Sequence, residues 1–450
     1  MSDLKLKTKI GYGLGDLAGN LVFQMTVIYL LFFYTDVLGI SAMAAGIIFL
    51  VARLWDAVND PVMGLIMDKT RSKHGKARVY LLYGSLPLAL ATIAMFYTPD
   101  LSTVGKIIYA AVTYIIWGML FTLVNIPYSS LTASLTNNPQ ERTSLSSIRM
   151  IFMLFGVITV SVVTEPMVSA FPTLSAGYFN VGILFGGLSF IFFLFCFKLT
   201  KVAKKPDGTC DESYLLKDIW PLLLKNKQLL IVTLASLIGN MAVFIRETAA
   251  IYYVNYNIGN GELLPVFLGV VVLSMLVANL LIPLATRLWD KKGTYILGSA
   301  IGIIGSVVFH FIPYDQIGLI LLFGGLSSFG IAAISTVGWA MIPDTIEYGE
   351  WKTGKRAEGI SYAIYSFSQK LATAVAGILV ATVLEWTDYV PNGVIQSNST
   401  LTGILSTLTI IPIVLMILSV IVIRFYKINS DMFSQIITEL KSGNKKRSHG

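Results

Sequence analysis

Long uninterrupted apolar runs of about 20 residues recur twelve times along this chain, and they constrain its fold more than any other feature. A helix rising 1.5 Å per residue needs about that length to cross a hydrocarbon layer roughly 30 Å thick. The runs lie at about 12–36, 41–67, 79–98, 106–132, 148–170 and 178–198, then at about 229–256, 264–287, 293–313, 317–343, 359–385 and 402–424. They are continuous rather than ten-residue alternations, which selects helices over barrel strands. Only 13% of the 450 residues are Asp, Glu, Lys or Arg, about half the roughly 25% of soluble proteins, so the chain lacks the charged shell of a water-soluble globule. The expected fold is an all-α polytopic membrane protein with twelve transmembrane helices in two six-helix bundles. Residues 1–199 form the first bundle, 200–227 a central loop, 228–426 the second bundle and 427–450 a basic tail.

Basic residues set the orientation. Lys5, Lys7 and Lys9, the stretch from Lys69 to Arg78, Arg142, Lys201 to Lys227, Arg287 to Lys292, Lys352 to Arg356 and the tail from Lys427 all fall in loops on one side. The opposite loops hold little beyond Lys106. The positive-inside rule then places both termini of the multi-pass chain in the cytoplasm. The net charge of +8 follows from this asymmetry and calls for no nucleic-acid partner; the lipid bilayer is the partner, and no obligate protein partner is evident. The basic start MSDLKLKTK leads into a run broken by Gly and Asp16, so no cleaved signal peptide is expected. Asp68, Arg71 and Gly75 after span two are echoed by Asp290, Lys291 and Gly293 after span eight. Six spans plus six with a weak internal echo resembles a major facilitator transporter, whose halves rock about a midplane site.

Ionisable groups inside spans cost at least a few kcal/mol on insertion scales, so each suggests a function. Asp56 and Asp60 stand four apart on span two, which puts both carboxylates on one helix face together with Arg53. Adjacent carboxylates in a low dielectric repel, and a proton or a cation relieves the repulsion. Asn59 and, from span four, Thr122 add hard oxygen ligands suited to Na+. The alternative is a structural Arg53–Asp56 pair that only holds helices together.

For a substrate, span one offers Tyr12, Asp16 and Asn20 at steps of four among Gly11, Gly13, Gly15 and Gly19, although such glycines also serve plain helix packing. Asn125 stands beside Pro127 in span four, where a broken backbone ladder exposes polar groups. Arg149, Arg246 and Lys370 are candidate donors to sugar hydroxyls or a carboxylate, and Trp339 is a candidate stacking ring or an interfacial belt residue. Glu247 adjoins Arg246, but consecutive helical residues point apart, so the two are not expected to act as a clamp. Asp36 and Glu165 sit near the outer edge and are expected to be solvated, and His310 is expected to be a structural hydrogen-bonder. The sequence holds no GxxxxGK[ST], HExxH or GxSxG motif and no clustered His or Cys, so neither an enzyme nor a cofactor is expected.

The run Trp55-Asp56-Ala57-Val58-Asn59-Asp60-Pro61, continued by Gly64, Asp68, Thr70-Arg71-Ser72 and Gly75-Lys76, resembles the signature of the glycoside-pentoside-hexuronide:cation symporters, the melibiose permease family. A second signature, DTIEYGEWKTGKRAEGISY from Asp344 to Tyr362 followed by Lys370, is similar to that family's second half, and the resemblance covers essentially the whole chain. It implies uptake of a small-molecule sugar or glycoside with Na+ or H+ across the inner (plasma) membrane. It also implies that Asp56, Asp60 and Thr122 serve the coupling cation while Arg149 and Lys370 serve the sugar. Asn20 and Asn125 stand where the melibiose permease has sugar-binding aspartates. The lost negative charge, beside Arg149, Arg246 and Lys370, shifts the expected substrate toward an anionic sugar such as a hexuronide or sulfonated sugar, with a neutral pentoside or glucoside as the alternative.

The expected mechanism is alternating access, in which cation occupancy raises sugar affinity and, by linkage, sugar raises cation affinity by the same factor. Asp68, Arg71, Lys76 and Arg78, with Glu347, Lys352 and Arg356, are expected to form a cytoplasmic gate. The rival readings are an uncoupled sugar facilitator and a non-transporting membrane sugar sensor.

Overall fold

The computed structural model describes residues 5–441 apart from 71, 74, 76, 136–138, 201–225, 355–357, 392 and 394. Among the described residues the regular elements are helices: α1 Leu6–Val37, α2 Ala42–Lys69, α3 Arg78–Met95, α4 Thr103–Leu135, α5 Pro139–Ser169 and α6 Leu174–Leu199. They continue with α7 Lys227–Ile258, then a 47-residue run Leu264–His310, α10 Ile317–Thr353, α11 Glu358–Trp386, α12 Asn398–Ile423 and a short α13 Ser430–Lys441. The 47-residue run would extend about 70 Å as one straight helix, more than twice the bilayer core. It is broken at Asp290, whose backbone leaves helical space at φ 55°, ψ −177°. The Asp290 carboxylate accepts the Gly293 amide at 2.7 Å and so caps a new helix. The run is therefore α8, 264–289, and α9, 291–310; among the described residues ten helical stretches, this run counted as one, are long and apolar enough to cross a membrane.

The chain divides into two compact units. The first comprises Met1–Asp207 with Ala250–Gly269 and Gly377–Leu401; the second comprises Gly208–Ala249, Val270–Ala376 and Thr402–Gly450. This division differs from an even split at the central loop. The stretch joining α7 to α8 and the stretch joining α11 to α12 group with the first unit.

In the first unit α1 packs on α5 and α6, α3 on α4 and α6, and α2 on α4. The glycines of α1 serve this packing: a methyl at Gly13 would fall 2.4 Å from the Phe152 ring, and one at Gly15 would fall 2.3 Å from the Tyr128 ring. In the second unit a core of Leu229, Val232, Tyr295, Ile334, Met341, Tyr365 and Met416 joins α7, α9, α10, α11 and α12. There α9 and α10 touch backbone to backbone, since a methyl on Gly330 would lie 2.2 Å from the Gly302 nitrogen. α13 packs against α10, with Trp351 Nε1 donating to Glu439 Oε2 at 2.7 Å.

Candidate functional site

The face between α2 and α4 reads as a ladder. Arg53, Asp56 and Asp60 climb α2 at steps of three and four, while Tyr114, Gly118 and Thr122 climb α4 at steps of four, so one helix face of each is used. Arg53 Nη1 pairs with Asp56 Oδ2 at 2.8 Å, and its Nη2 donates to the Tyr114 hydroxyl at 3.0 Å. The other Asp56 oxygen, Oδ1, faces Gly118, where an added methyl would sit 3.3 Å away. Thr122 Oγ1 donates to Asp60 Oδ1 at 2.9 Å. Asn59 lies on the same stretch of α2 with its amide nitrogen buried and unbonded.

The structure thus brings all four candidate cation residues to one helix pair. Arg53 offsets the charge of Asp56, and Asp60 stands one turn further along the same face with the Thr122 hydroxyl as a donor. The Arg53–Asp56 pair is also the contact expected of a purely structural role. On α4, Asp60 meets the Thr122 hydroxyl, while Asp56 Oδ1 faces the space beside Gly118.

A second cluster joins α1, α4 and α5. Arg149 Nε donates to Asp16 Oδ1 at 2.8 Å, and the guanidinium lies over the Tyr128 ring at 5.2 Å. Tyr128 is itself fixed, stacked on Tyr12 at 5.0 Å with its hydroxyl donating to the Tyr12 carbonyl at 2.8 Å. The Arg149 side chain keeps 34% of its surface exposed against 8% for Asp16, so the carboxylate orients a guanidinium whose far edge remains accessible. Asn20 turns back on its own helix and donates to the Asp16 carbonyl at 2.9 Å. Asn125, half-buried, stands three residues from both Thr122 and Tyr128 on α4, between the two clusters.

Among the second-unit candidates, Trp339 on α10 is 45% exposed and meets the buried Tyr365 ring of α11 edge-on at 4.6 Å. The Tyr365 hydroxyl lies against Ser236 and Gln369. Their geometry is poor enough that Tyr365 Oη, Ser236 Oγ and Gln369 Nε2 all lack a well-formed bond. Such buried polar atoms mark a place where a polar ligand would be gained cheaply, and sequence reasoning had singled out none of the three. Lys370 is half-buried on α11 beside Gln369.

Arg246 is placed differently from the expected substrate contact. It is buried and donates to the Leu408 carbonyl at 2.6 Å, the Gly324 carbonyl at 3.3 Å and Ser306 Oγ at 3.4 Å, so its donors are spent on α9, α10 and α12. The Leu408 carbonyl needs that donor because Thr409 leaves helical space at φ −126°, ψ −78° and interrupts α12. His310 braces the same break, with Nδ1 2.9 Å from Thr409 Oγ1. Glu247 does not pair with Arg246, and its Oε2 is buried without a bond.

Of the gate residues, Arg71, Lys76 and Arg356 lie outside the described residues, as does the Asp68 side chain. Arg78 holds α3 to α6, donating to the Phe197 carbonyl at 2.5 Å and lying over the Phe197 ring. Glu347 is half-buried, and Lys352 is exposed with its ammonium over the Trp351 ring at 4.4 Å. At that end of the second unit Lys291 forms an ion pair with Asp344, at 2.7 Å to both carboxylate oxygens. It was legible in principle, since Asp344 opens the second signature and Lys291 belongs to the internal echo. One expectation is corrected: Asp36 is not solvated but only 5% exposed, because hydroxyl groups surround its carboxylate.

Residues 11–430 match the family model described as MFS/sugar transport protein. YjmB of Bacillus subtilis (strain 168), an uncharacterised symporter, is 35% identical over 440 residues, covering 97% of this chain and 95% of that protein. The inner membrane symporter YicJ of Escherichia coli (strain K12) is 34% identical over 449 residues, covering 98% and 96%. A protein of the same strain proposed to import sulfoquinovose is 32% identical over 450 residues, covering 98% and 95%. The crystal structure of the nucleoside transporter NupG matches with a TM-score of 0.65 at 14% identity, covering 96% of this chain and 99% of that one, a likeness of fold alone.

Proposed function

The chain belongs to the MFS/sugar transport protein family, and we propose that within it the protein takes up an anionic sugar or glycoside together with one monovalent cation, Na+ or H+, by alternating access. The observation that carries this reading is the α2/α4 ladder, in which Asp60 accepts from the Thr122 hydroxyl one turn from the Arg53–Asp56 pair, so that two carboxylates and a hydroxyl gather on one helix pair. In this reading the ion is cargo. Asp60 and Thr122 hold it, Asn59 and Asp56 Oδ1 complete the oxygen set, and Arg53 keeps the net charge at one. Turning the Asn59 amide about its last side-chain bond presents Oδ1 to an ion.

The sugar sits against Arg149 on its Tyr128 platform, and Asp16 acts as a positioning residue. A guanidinium held at Nε leaves its two terminal nitrogens for a bidentate partner, the geometry that suits carboxylate or sulfonate. The similarity to a protein proposed to import sulfoquinovose supports an anionic cargo. Asn125 lies between the ion and sugar clusters, so ordering one orders the other, which is coupling in structural terms. Membership of the family and the similarity to an inner membrane symporter support a place in the inner membrane, with both termini cytoplasmic by the charge asymmetry.

The Arg53–Asp56 pair favours a second reading, an uncoupled facilitator in which the ladder is structural. Uptake of labelled sugars into proteoliposomes separates the two. Accumulation that depends on an imposed Na+ or proton gradient supports symport, whereas equilibration without gradient dependence supports the facilitator.

A further inference from the structure

Asp36, near the end of α1, is the centre of a hydroxyl knot. Tyr256 and Tyr389 donate to its Oδ1 at 2.5 and 2.6 Å, and Thr35 donates to its Oδ2 at 2.5 Å. Because the Thr35 proton is committed to Asp36, the Tyr252 hydroxyl 2.9 Å away is the donor to Thr35. Three tyrosines are thereby directed at one carboxylate, two directly and one through Thr35. The rings interlock as well, with Tyr389 edge-on to Tyr252 at 5.5 Å and to Tyr256 at 5.4 Å. Burial first, then Tyr252 and Asp36 beside it, pushes the Tyr389 hydroxyl well above the usual phenol range, so it stays a donor.

The origin of these tyrosines gives the knot its meaning. Tyr252 and Tyr256 belong to 250–269 and Tyr389 to 377–401, the two stretches that group with the first unit while the rest of α7, α8, α11 and α12 belongs to the second. Apolar contacts accompany the knot: a methyl at Gly46 would lie 2.9 Å from Ala381, and one at Gly377 would lie 2.7 Å from the Phe49 ring. Both sides of the knot are widened helical turns. Asp36 lies in the π-helical turn Phe33–Val37, and Tyr256 lies in Tyr253–Ile258, which ends at Gly259 with φ 74°. Such turns are rare inside α-helices and are frequent at functional sites.

We propose that Asp36, with Tyr252, Tyr256 and Tyr389, is a latch that holds the outer ends of the spans together and must release for sugar to enter from outside. The proposal rests on the transport reading and on the orientation that puts these ends outside. A carboxylate with hydroxyl donors suits a latch, because water replaces each bond when it opens. An apolar seal of the same area has no such substitute. Each bond to the charged group holds the closed state by about tenfold or more, so losing one shifts the closed-to-open ratio by that factor.

The test is a distance measurement on the full chain in nanodiscs. Spin labels are attached at Asp100→Cys and Ile395→Cys in a Cys210→Ser background, Cys196 being buried and unreactive. Both label positions are exposed, and both belong to the first unit. The parent chain is expected to give one short distance, and Tyr389→Phe and Asp36→Asn should each add a longer population. Unchanged distances in both variants would overturn the latch, as would a fall in thermal stability with distances unchanged, which means ordinary packing. This readout needs no substrate. Longer distances in a chain that carries no sugar uphold the moving latch and refute the transport reading. Unchanged distances in a chain that does carry sugar refute the latch alone.

Discussion

Thr122 on α4 donates to Asp60 on α2 at 2.9 Å, one turn along the same face from the buried Arg53–Asp56 pair. Two carboxylates four residues apart are thus given different partners, a hydroxyl for one and a guanidinium for the other. In the proposed reading the difference gives them different tasks, with Asp56 held by Arg53 and Asp60, with Thr122, a ligand of the ion.

Removing Arg53 alone leaves Asp56 buried without its counter-charge. Arg53→Met is expected to lower stability by about 3–5 kcal/mol, whereas Arg53→Met with Asp56→Leu recovers most of that loss. Thermal unfolding of the purified protein in detergent measures both. Equal losses in the single and double variants would show that the cost does not come from an Asp56 carboxylate stranded without its counter-charge.

Gly118 is the gap beside Asp56 Oδ1, and a methyl there stands 3.3 Å from that oxygen. Gly118→Ala should raise the cation concentration for half-maximal uptake by about tenfold, roughly 1.4 kcal/mol, with the maximal rate little changed. An unaltered cation dependence would take Asp56 Oδ1 out of the ion's ligand set.

Arg149→Lys keeps a positive charge near Asp16 but loses the planar fork over Tyr128. The KM for an anionic sugar is expected to rise about tenfold or more, since one charge-assisted hydrogen bond is lost. A variant that transports glucuronides with the parent KM would show that the fork is not what recognises the cargo.

Arg246 is a staple between helices, and its replacement should read as stability rather than affinity. Arg246→Met strands the Leu408 and Gly324 carbonyls at about 1–3 kcal/mol each, while the KM of the protein that folds stays near the parent value. A tenfold rise in KM at unchanged stability would return Arg246 to the substrate site.

The helical spans and the shared face of Arg53, Asp56 and Asp60 were legible because both rest on local periodicity. Apolar run length gives the spans, and steps of three and four put Arg53, Asp56 and Asp60 on one face. What the sequence hid depends on long-range contacts. Arg246 looks like a substrate contact until the break at Thr409 supplies a carbonyl for it, and Asp36 looks solvated until tyrosines more than 200 residues away enclose it. The Tyr365, Ser236 and Gln369 cluster gave no signal, because hydroxyls and amides in a span read as ordinary packing until their bonds are examined.

The most direct measurement is Asp60→Asn in proteoliposomes, comparing gradient-driven accumulation with sugar exchange at equal cation on both sides. The account predicts that concentrative uptake is lost while exchange persists, because the sugar cluster at Arg149 is untouched. Accumulation equal to that of the parent chain would contradict it, and the α2/α4 ladder would then be a structural brace in a transporter coupled elsewhere or not at all.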